Sequence, residues 1–549
     1  MDLLESCSST NGLRGTLARG GLLLLAGWLG LLALLFTRSL WVEPSFVPGL
    51  APGVYEAISS LFPATWINAP RLEGWGRIAA SALYMALAAG LWVAYTRTVR
   101  RAGAAREEAP GGPVLRHIMA GTALFGMLTL AWPGLFTADI YLYAAQAKMQ
   151  VAYGMNPLIQ PPHMPANDPV MVLLPWRDLL SAYGPVWLSV AWAVGQAVEW
   201  TGSGLVGYVQ AFRGLNLLLL LIAVALFWAI TGRLAWALSR RTAAAVLIAW
   251  CPLVILEMVG SGHNDMLLML LLLAAVWLHL RGAWPLAVAA LMLAGLVKLP
   301  GYFFLPAYVV LLARTAGGRV PATRRVAVSG GVAAIVAILA YWPYAGAALP
   351  SVILANPMTG FAVNSLGMAL RATLVELQLA LRGWLTPASL SARDALEAVR
   401  WPVWYGPLAA WAVVAGALSL RVRDFAGLLR VWALIMFSYL LFAAAWFQPW
   451  YVVWLLPVVA LRPAGRLCQA TLWLTLGCLL YYGVFPPFPG DTASPFWFQF
   501  YVPAVIFGPV LLYSAGLAWR AVQGHQVTSF RPTAIGAREI TRPRIARNP

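Results

Sequence analysis

Charged residues are scarce in this chain, and their scarcity excludes an ordinary soluble fold. Only 10% of the 549 residues are Asp, Glu, Lys or Arg, whereas 61% are hydrophobic and the mean hydropathy is +0.75. In a soluble domain roughly a quarter of all residues are charged, so this composition is instead typical of a protein with many membrane spans. No period-2 alternation indicates a barrel, and the spans are therefore predicted to be helices.

Cysteine and histidine are also few. The four cysteines (Cys7, Cys251, Cys468, Cys478) lie at the N-terminus or in apolar runs without a CxxC pair, which excludes a disulfide framework and argues against a metal site. The five histidines form no paired axial-ligand pattern, which weakens a haem interpretation. Nothing resembles a soluble nucleotide-binding domain. We therefore expect neither a metal nor a cofactor.

The net charge of +18 is explained by where the basic residues lie. Most of the 37 fall in segments that one orientation places inside: residues 14–19, 97–116, 233–241, 281, 314–325, 421–430, 462–466 and from 520 onward. This is the positive-inside distribution, and it predicts that both termini are cytoplasmic. The basic charge is thus a topology signal, and no nucleic-acid partner is expected.

Hydropathy predicts about 14 transmembrane helices, the first of them retained rather than cleaved. They cover residues 20–37, 78–96, 114–134, 209–231, 242–259, 266–281, 284–297, 301–314, 326–344, 401–420, 427–446, 450–461, 468–485 and 498–519. Kinks are expected at Pro306, Pro343 and Pro457. Residues 184–200 are also apolar, but one more crossing would reverse the arginine pattern. This segment is either re-entrant or interfacial, or the region up to 231 holds three short crossings.

The spans divide the chain into four parts. Residues 1–113 form an N-terminal region with two helices, and residues 114–344 form a transmembrane module with an outer loop at 138–183. Residues 345–519 form a second module with an outer loop at 345–400, and residues 520–549 form a basic, flexible cytoplasmic tail.

Within the module of residues 114–344, four acids lie within or at the ends of apolar segments, where an ionisable group is a functional candidate. They are Asp139, Glu199, Glu257 and Asp265. Asp139 opens the first outer loop, and helical spacing places it on one face with Tyr143 and Gln146, whereas Tyr141 points elsewhere. It suits a general base, although the alternative is a simple N-cap for a helix that begins at Ile140.

The turn VGSGHNDMLL (259–268) joins two spans on the outer side. Gly260 and Gly262 permit a tight turn that presents His263, Asn264 and Asp265. The alternative is that Asn264 or Asp265 only caps the next helix, which accounts for one polar residue out of three.

The chain has two lysines, Lys148 and Lys298, both predicted on the outer side. An ammonium at a helix end suits a phosphate, and the alternative is snorkelling to lipid headgroups. In AWFQPWYVVW (445–454), Trp446, Trp450 and Tyr451 suit stacking on sugars, although an interfacial aromatic belt is the simpler interpretation. Gln448 fits a belt less well and is able to hydrogen-bond a hydroxyl. The turn AYGPVW (182–187) indicates only an interfacial turn.

Five motifs occur in a recognisable order: TADIYLYAAQAKMQVAYGMNPL, AYGPVW, VGSGHND, GLVKLP and WFQPWYVVW. Over roughly residues 114–460 the chain resembles the polyprenol-phosphate-mannose-dependent α-1,6-mannosyltransferases of bacteria, a branch of the GT-C glycosyltransferases. The resemblance implies an all-α polytopic protein of the bacterial cytoplasmic membrane, with a helix bundle and outer-face loop helices. It also implies an active site on the outer face, a lipid-phosphate sugar donor, and Asp139 as the catalytic aspartate.

The sequence departs from the pattern in two places. In many GT-C enzymes the aspartate follows the first span, whereas here it follows the third, and two additional helices at 20–96 explain the offset. Ala147 stands where such sequences often have glycine. The resemblance does not identify the glycosyl acceptor.

The resulting hypothesis is an inverting transfer of a sugar, expected to be mannose, from a polyprenyl-phosphate donor to a glycan or glycolipid acceptor. Asp139 would be the base, and Asp265 stays open as its competitor. Lys298, Lys148 and Arg371 would bind the donor phosphate. The sugar or acceptor would be bound by Tyr141, Tyr143, His263, Asn264, Asp265, Gln448 and Trp450.

Two other functions fit the composition. A transporter or flippase of a lipid-linked glycan would use many helices and intramembrane acids, but no inverted repeat of broken helices is visible and the polar groups gather at one face. A non-catalytic envelope-assembly protein is the second alternative.

Overall fold

The computed structural model describes residues 12–36, 75–105, 114–131, 137, 139–165, 168–172, 174, 177–346, 363–370, 373–374, 405–484 and 495–522. Arg371, most of the outer loop at 345–400 and the tail from 523 lie outside the described residues.

Most of the described chain is helical, and its α-helices of five or more residues are numbered here in chain order. They are α1 (Leu13–Phe36), α2 (Trp75–Ala104), α3 (Val114–Leu130), α4 (Asp139–Ala152), α5 (Pro185–Thr201), α6 (Gly204–Arg233), α7 (Leu238–Ala249), α8 (Asp265–Leu280), α9 (Trp284–Val297), α10 (Leu305–Arg314), α11 (Arg319–Tyr341), α12 (Gly406–Ser419), α13 (Phe425–Ser438), α14 (Leu456–Ala460), α15 (Arg466–Val484) and α16 (Pro495–Val522). Within the described ranges the only β contact is an isolated bridge between Val363 and Trp446.

The apolar helices agree with the predicted spans. Eight of the described helical segments are long and apolar enough to cross a membrane, and six shorter apolar helices complete the set. Each of the predicted segments overlaps one of these helices. The prediction of an all-α polytopic membrane protein is therefore confirmed. Residues 242–260 are all buried, whereas in 319–344 only Ser329 and Tyr344 are buried, so the former segment is central and the latter peripheral.

Regular helix gives way to tighter or wider turns at several helix ends. Residues Ile255–Gly260 and Tyr439–Ala443 are π-helical, and Leu299–Phe304 and Pro449–Trp454 are 3₁₀-helical. The predicted kinks coincide with such changes: Pro306 and Pro457 follow 3₁₀ turns, and Pro343 lies inside one. Proline removes a backbone donor, so these positions are where the hydrogen-bond pattern changes.

Arginines gather at one end of the bundle. The Arg233 Nε atom donates to the Leu280 carbonyl (2.8 Å), and the Arg314 Nη2 atom donates to the Leu420 carbonyl (2.6 Å). Arg462 Nη1 donates to the Ala426 carbonyl (3.0 Å). These bonds join loops that the arginine pattern places together on the cytoplasmic side.

Helix α5, the segment 185–201 that sequence left open, forms a hairpin with the first turns of α6. Gly202 turns the chain with φ 62°, and the Tyr208 hydroxyl donates to Glu199 Oε1 at 2.8 Å. At the other end of α5, the Gly184 N–H donates to the carbonyl of Val297, the last residue of α9, at 3.1 Å. Helix α5 therefore starts at the α9 end of the bundle and pairs with the part of α6 nearest that end. This geometry favours the interfacial interpretation over an additional crossing.

The orientation is testable by labelling single cysteines. Trp200, at the end of α5, is 88% exposed, and Val320, at the start of α11, is 82% exposed. In a Cys7→Ser background, we expect a membrane-impermeant maleimide to label Trp200→Cys in intact cells and Val320→Cys only after permeabilisation. The free cysteines 251, 468 and 478 are buried and give a low background. Labelling of Val320→Cys in intact cells would contradict the orientation.

Candidate functional site

The ends of several helices meet at one place. The site is built from the first residue of α4, the turn before α5, the residues 257–265 between α7 and α8, the end of α9, and the 3₁₀ segment Pro449–Trp454. Irregular backbone at membrane depth is tolerated where protein covers it or where it lines a cavity. The convergence of π and 3₁₀ turns here therefore indicates a built site.

A buried ion pair joins α8 to α9. Lys298 Nζ donates to both carboxylate oxygens of Asp265 at 3.0 and 3.1 Å, and Trp454 Nε1 donates to Oδ1 at 2.5 Å. The Asp265 side chain is 0% exposed and that of Lys298 is 12% exposed. The Nζ atom lies 4.8 Å from the Tyr451 ring centre and 5.4 Å from that of Trp454. Asp265 is thus fully engaged, whereas the Lys298 side chain keeps a small exposed fraction.

Asp139 is held by the turn AYGPVW. The Tyr183 hydroxyl donates to Asp139 Oδ2 at 3.2 Å. The next residue, Gly184, packs so closely on α9 that a Cβ would collide with the Leu296 carbonyl oxygen. Glycine is therefore required for the turn to bring Tyr183 to the carboxylate. Asp139 is 11% exposed at its side chain.

His263 lies between two carboxylates. Its Nδ1 atom is 3.6 Å from Asp139 Oδ2, and its Nε2 atom is 3.4 Å from Glu257 Oε2 and 3.3 Å from Thr137 Oγ1. The ring stacks on Trp450 with centroids 3.8 Å apart. Trp450 is buried, so the aromatic-belt interpretation is wrong for this residue.

The turn before α8 depends on glycine. Gly262 has φ 74°, a left-handed conformation that favours glycine, and a Cβ there would lie 2.6 Å from Ile140 Cδ1. The tight contact brings the start of α4 against the turn. Asn264 makes no side-chain cap to α8; its Oδ1 instead accepts from the Tyr143 hydroxyl at 3.3 Å. The capping interpretation is therefore wrong for Asn264.

Burial sets the protonation of the central groups. It raises the pKa of the Asp139 carboxyl to about 6, against the opposing influence of the Lys298 charge and the Tyr183 hydrogen bond. Burial, followed by the charge of Lys298, lowers the pKa of the His263 imidazole well below its usual range. Burial also raises the pKa of Tyr183 well above its usual range. At neutral pH the site therefore holds an ionised Asp139, a neutral imidazole and a hydroxyl donor.

Several predicted residues lie at the edge of this cluster or away from it. Lys148 pairs with Asp168 at 2.7 Å, within the outer loop. Tyr141 is buried on the side of α4 that faces Arg213, which agrees with the predicted divergence from Tyr143. Gln448 is buried and lies 3.5 Å from Asn364 Nδ2.

The structure adds four residues to those predicted. From the sequence, Glu257 is one of the four acids in apolar segments, but no role was predicted for it. Tyr183 and Trp454 lie in motifs in which other residues were the predicted candidates. Its position in an apolar segment, where ionisable residues are rare, is the signal that could have identified Glu257 as a site residue. Asn364 carried no signal, because its contact with Gln448 spans 84 residues of sequence.

The sequence of this chain matches a known protein family over much of its length. The sequence profile of the family described as "Alpha-(1->6)-mannopyranosyltransferase, N-terminal domain" matches residues 21–314, more than half of the chain. The chain belongs to this family. The predicted resemblance to the family of α-1,6-mannosyltransferases is thereby confirmed. The matched region contains Asp139, Tyr183, Glu257, the turn 263–265 and Lys298.

Two curated relatives are similar over shorter stretches. Alpha-(1->6)-mannopyranosyltransferase B of Corynebacterium glutamicum is 34% identical over 227 residues, 38% of this chain and 36% of that protein. A probable alpha-(1->6)-mannopyranosyltransferase of Mycolicibacterium smegmatis is 33% identical over 156 residues, 27% of this chain and 26% of that protein. The chain thus matches about a third or less of the length of these relatives.

The ion pair predicts a difference between the two lysines. Lys298→Met leaves the buried Asp265 charge unpaired, and we expect a loss of stability of about 3–5 kcal/mol. Lys148→Met is the comparison: it breaks the pair with Asp168, but Asp168 keeps hydrogen bonds from the Tyr153 hydroxyl and the Val170 N–H, so a smaller loss than in Lys298→Met is expected. Thermal unfolding of both variants in detergent tests this. Equal melting temperatures would contradict a structural role for the buried pair.

Proposed function

We propose that the protein transfers mannose from a polyprenyl-phosphate donor to a hydroxyl of a glycan or glycolipid acceptor on the outer face of the membrane, with inversion. Family membership supports the mannosyl group, and the names of both relatives describe α-(1→6) mannosyl transfer. The helix-end location of the site supports a lipid-linked donor, because such a donor enters from the bilayer. The arginine pattern supports the outer face, where cytoplasmic nucleotide sugars are absent.

The observation that carries the proposal is the contrast between two aspartates. Asp265 is 0% exposed, and its oxygens accept three hydrogen bonds from Lys298 and Trp454. Asp139 keeps an accessible edge and accepts from Tyr183 on one oxygen. A base must reach the proton that it removes, so the geometry favours Asp139 over Asp265.

In the proposed reaction, the acceptor oxygen forms a bond to the anomeric carbon of mannose while its proton moves to Asp139. The bond from that carbon to the phosphate oxygen breaks, and the electron pair leaves with the polyprenyl phosphate. Lys298 Nζ has three N–H groups, and its two bonds to Asp265 leave one for the departing phosphate. Attack opposite the leaving group inverts the configuration. The proposal needs no metal, because the ammonium supplies the positive charge.

Removing the proposed base tests the function directly. Asp139→Asn is isosteric and is expected to lower mannosyl transfer at least 10³-fold, the order of magnitude by which loss of a catalytic base slows an enzyme. The measurement is the transfer of label from polyprenyl-phosphate mannose to an alkyl α-mannoside in detergent. Asp168→Asn, an acid of the same outer loop, is the control and should retain transfer. Near-normal activity of Asp139→Asn would remove it as the base, and movement of labelled lipid without a covalent product would favour a transporter.

The hydrogen bond from Tyr183 predicts a pH effect. Transfer should fall as the pH decreases through about 6, because protonated Asp139 accepts no proton. The Tyr183 hydroxyl stabilises the carboxylate and lowers its pKa, so Tyr183→Phe should raise that pKa and move the acid limb to higher pH. The control is Tyr153→Phe, which removes a tyrosine hydroxyl that donates to Asp168 in the outer loop, and it should leave the limb in place. An unshifted limb in Tyr183→Phe would contradict the assignment.

A further inference from the structure

The carboxylate of Glu257 is not used by the proposed reaction, yet it is fully buried beside the site. Its Oε1 atom accepts from the Tyr482 hydroxyl at 2.6 Å. Its Oε2 atom has no hydrogen-bond partner among the described residues and faces the Nε2 atom of His263 at 3.4 Å. A buried acid with one oxygen left for a neighbouring ring is costly, so a role for it is expected.

The backbone directs this carboxylate toward the imidazole. Glu257 lies in the π-helical turn Ile255–Gly260, and such turns in α-helical runs are frequent at functional sites. The following turn folds back so that the His263 N–H donates to the Glu257 carbonyl at 3.3 Å. Gly262 makes this reversal possible, and the stacked Trp450 ring restricts the imidazole to one plane. Side chain and main chain of Glu257 therefore both contact the same histidine.

The other ring nitrogen faces the base. Nδ1 of His263 is buried, has no hydrogen-bond partner in the described part of the chain, and is 3.6 Å from Asp139 Oδ2. While Asp139 is ionised, an unprotonated Nδ1 finds no donor there. Once Asp139 has taken a proton, its hydroxyl is able to donate to Nδ1, and catalytic hydrogen bonds often tighten only during reaction.

We propose that Glu257 is a positioning residue that accepts a hydrogen bond from His263 Nε2–H and thereby leaves Nδ1 able to accept a hydrogen bond from the Asp139 hydroxyl, once Asp139 has taken the proton of the sugar acceptor. This inference rests on the proposed function, because it assumes that Asp139 is the base. The proton stays on Asp139, hydrogen-bonded to a neutral imidazole, and no charge forms on the ring. Carboxylates hold histidine tautomers in this way in other enzymes, where the amide substitute favours the wrong tautomer.

The surrounding charges agree with a neutral imidazole. Two cations lie near the turn: Lys298, whose ammonium donates to both oxygens of Asp265, and Arg213, whose side chain packs against Gly262. The Tyr183 hydroxyl donates to Asp139 and the Tyr482 hydroxyl to Glu257, and the titratable groups of Tyr84, Tyr481 and Cys478 also lie near Glu257. Thr137 Oγ1, at 3.3 Å from Nε2, is a second acceptor for the same N–H.

The test is a double-mutant cycle of Glu257→Gln and His263→Gln with the labelled donor and the alkyl α-mannoside. Replacing a residue that orients a functional histidine typically lowers activity by roughly 10–100-fold. Glu257→Gln should therefore lower kcat by that factor and change the donor KM by less than about twofold. If Glu257 acts through His263, the double variant should be no more than about threefold slower than His263→Gln alone. The control is Glu199→Gln, which removes a carboxylate that also accepts from a tyrosine, but outside the site.

Several results would overturn the inference. They are a kcat for Glu257→Gln within twofold of the unmodified protein, a change confined to KM, and a loss in the double variant equal to the product of the two single losses. If Glu257→Gln does not fold, Glu257→Asp keeps the charge but shortens its reach, and an unchanged kcat in that variant is equally decisive. An inactive Asp139→Asn beside a fully active Glu257→Gln rejects this inference alone, whereas an active Asp139→Asn rejects the proposed function.

Discussion

The ion pair between Lys298 and Asp265 is the interaction on which the rest of the site depends. It holds the start of α8 against the end of α9, where neither charge would be stable alone. The end of α9 then receives the turn at Gly184, through the bond from its N–H to the Val297 carbonyl. That turn carries Tyr183 to Asp139. A single buried pair is thereby connected, through backbone contacts, to the position of the proposed base.

Broken helices make this arrangement possible in an apolar bundle. Regular α-helix satisfies its own backbone groups and leaves side chains to point at lipid or at other helices. The π turn at Ile255–Gly260 and the 3₁₀ turn at Pro449–Trp454 instead direct Glu257, Trp450 and Trp454 toward one point. The central location of residues 242–260, which are all buried, keeps these irregular turns away from lipid.

Sequence reasoning succeeded where a rule depends on one segment at a time. Span positions were predicted well because each requires only a long apolar run. Asp139, His263, Asp265 and Lys298 were found because charges and polar turns are rare in such a chain, and the structure brings these four together. It does not bring Lys148 to them, because Asp168 pairs with that lysine in the outer loop. Nothing local in the sequence distinguishes the two lysines.

The sequence by itself determined the bilayer as the solvent, the helical class, the family and the short set of candidate acids. Hydropathy, charge distribution and motif order are properties of the chain that need no contacts. Only the tertiary structure decided that the Asp265 carboxylate is fully hydrogen-bonded while that of Asp139 stays partly exposed. The partners of Asp265 are Lys298 and Trp454, which are 33 and 189 positions away in the sequence. The tertiary structure also decided that His263 lies between Asp139 and Glu257. Such pairings depend on how helices pack, and packing is set by the whole bundle rather than by any one segment.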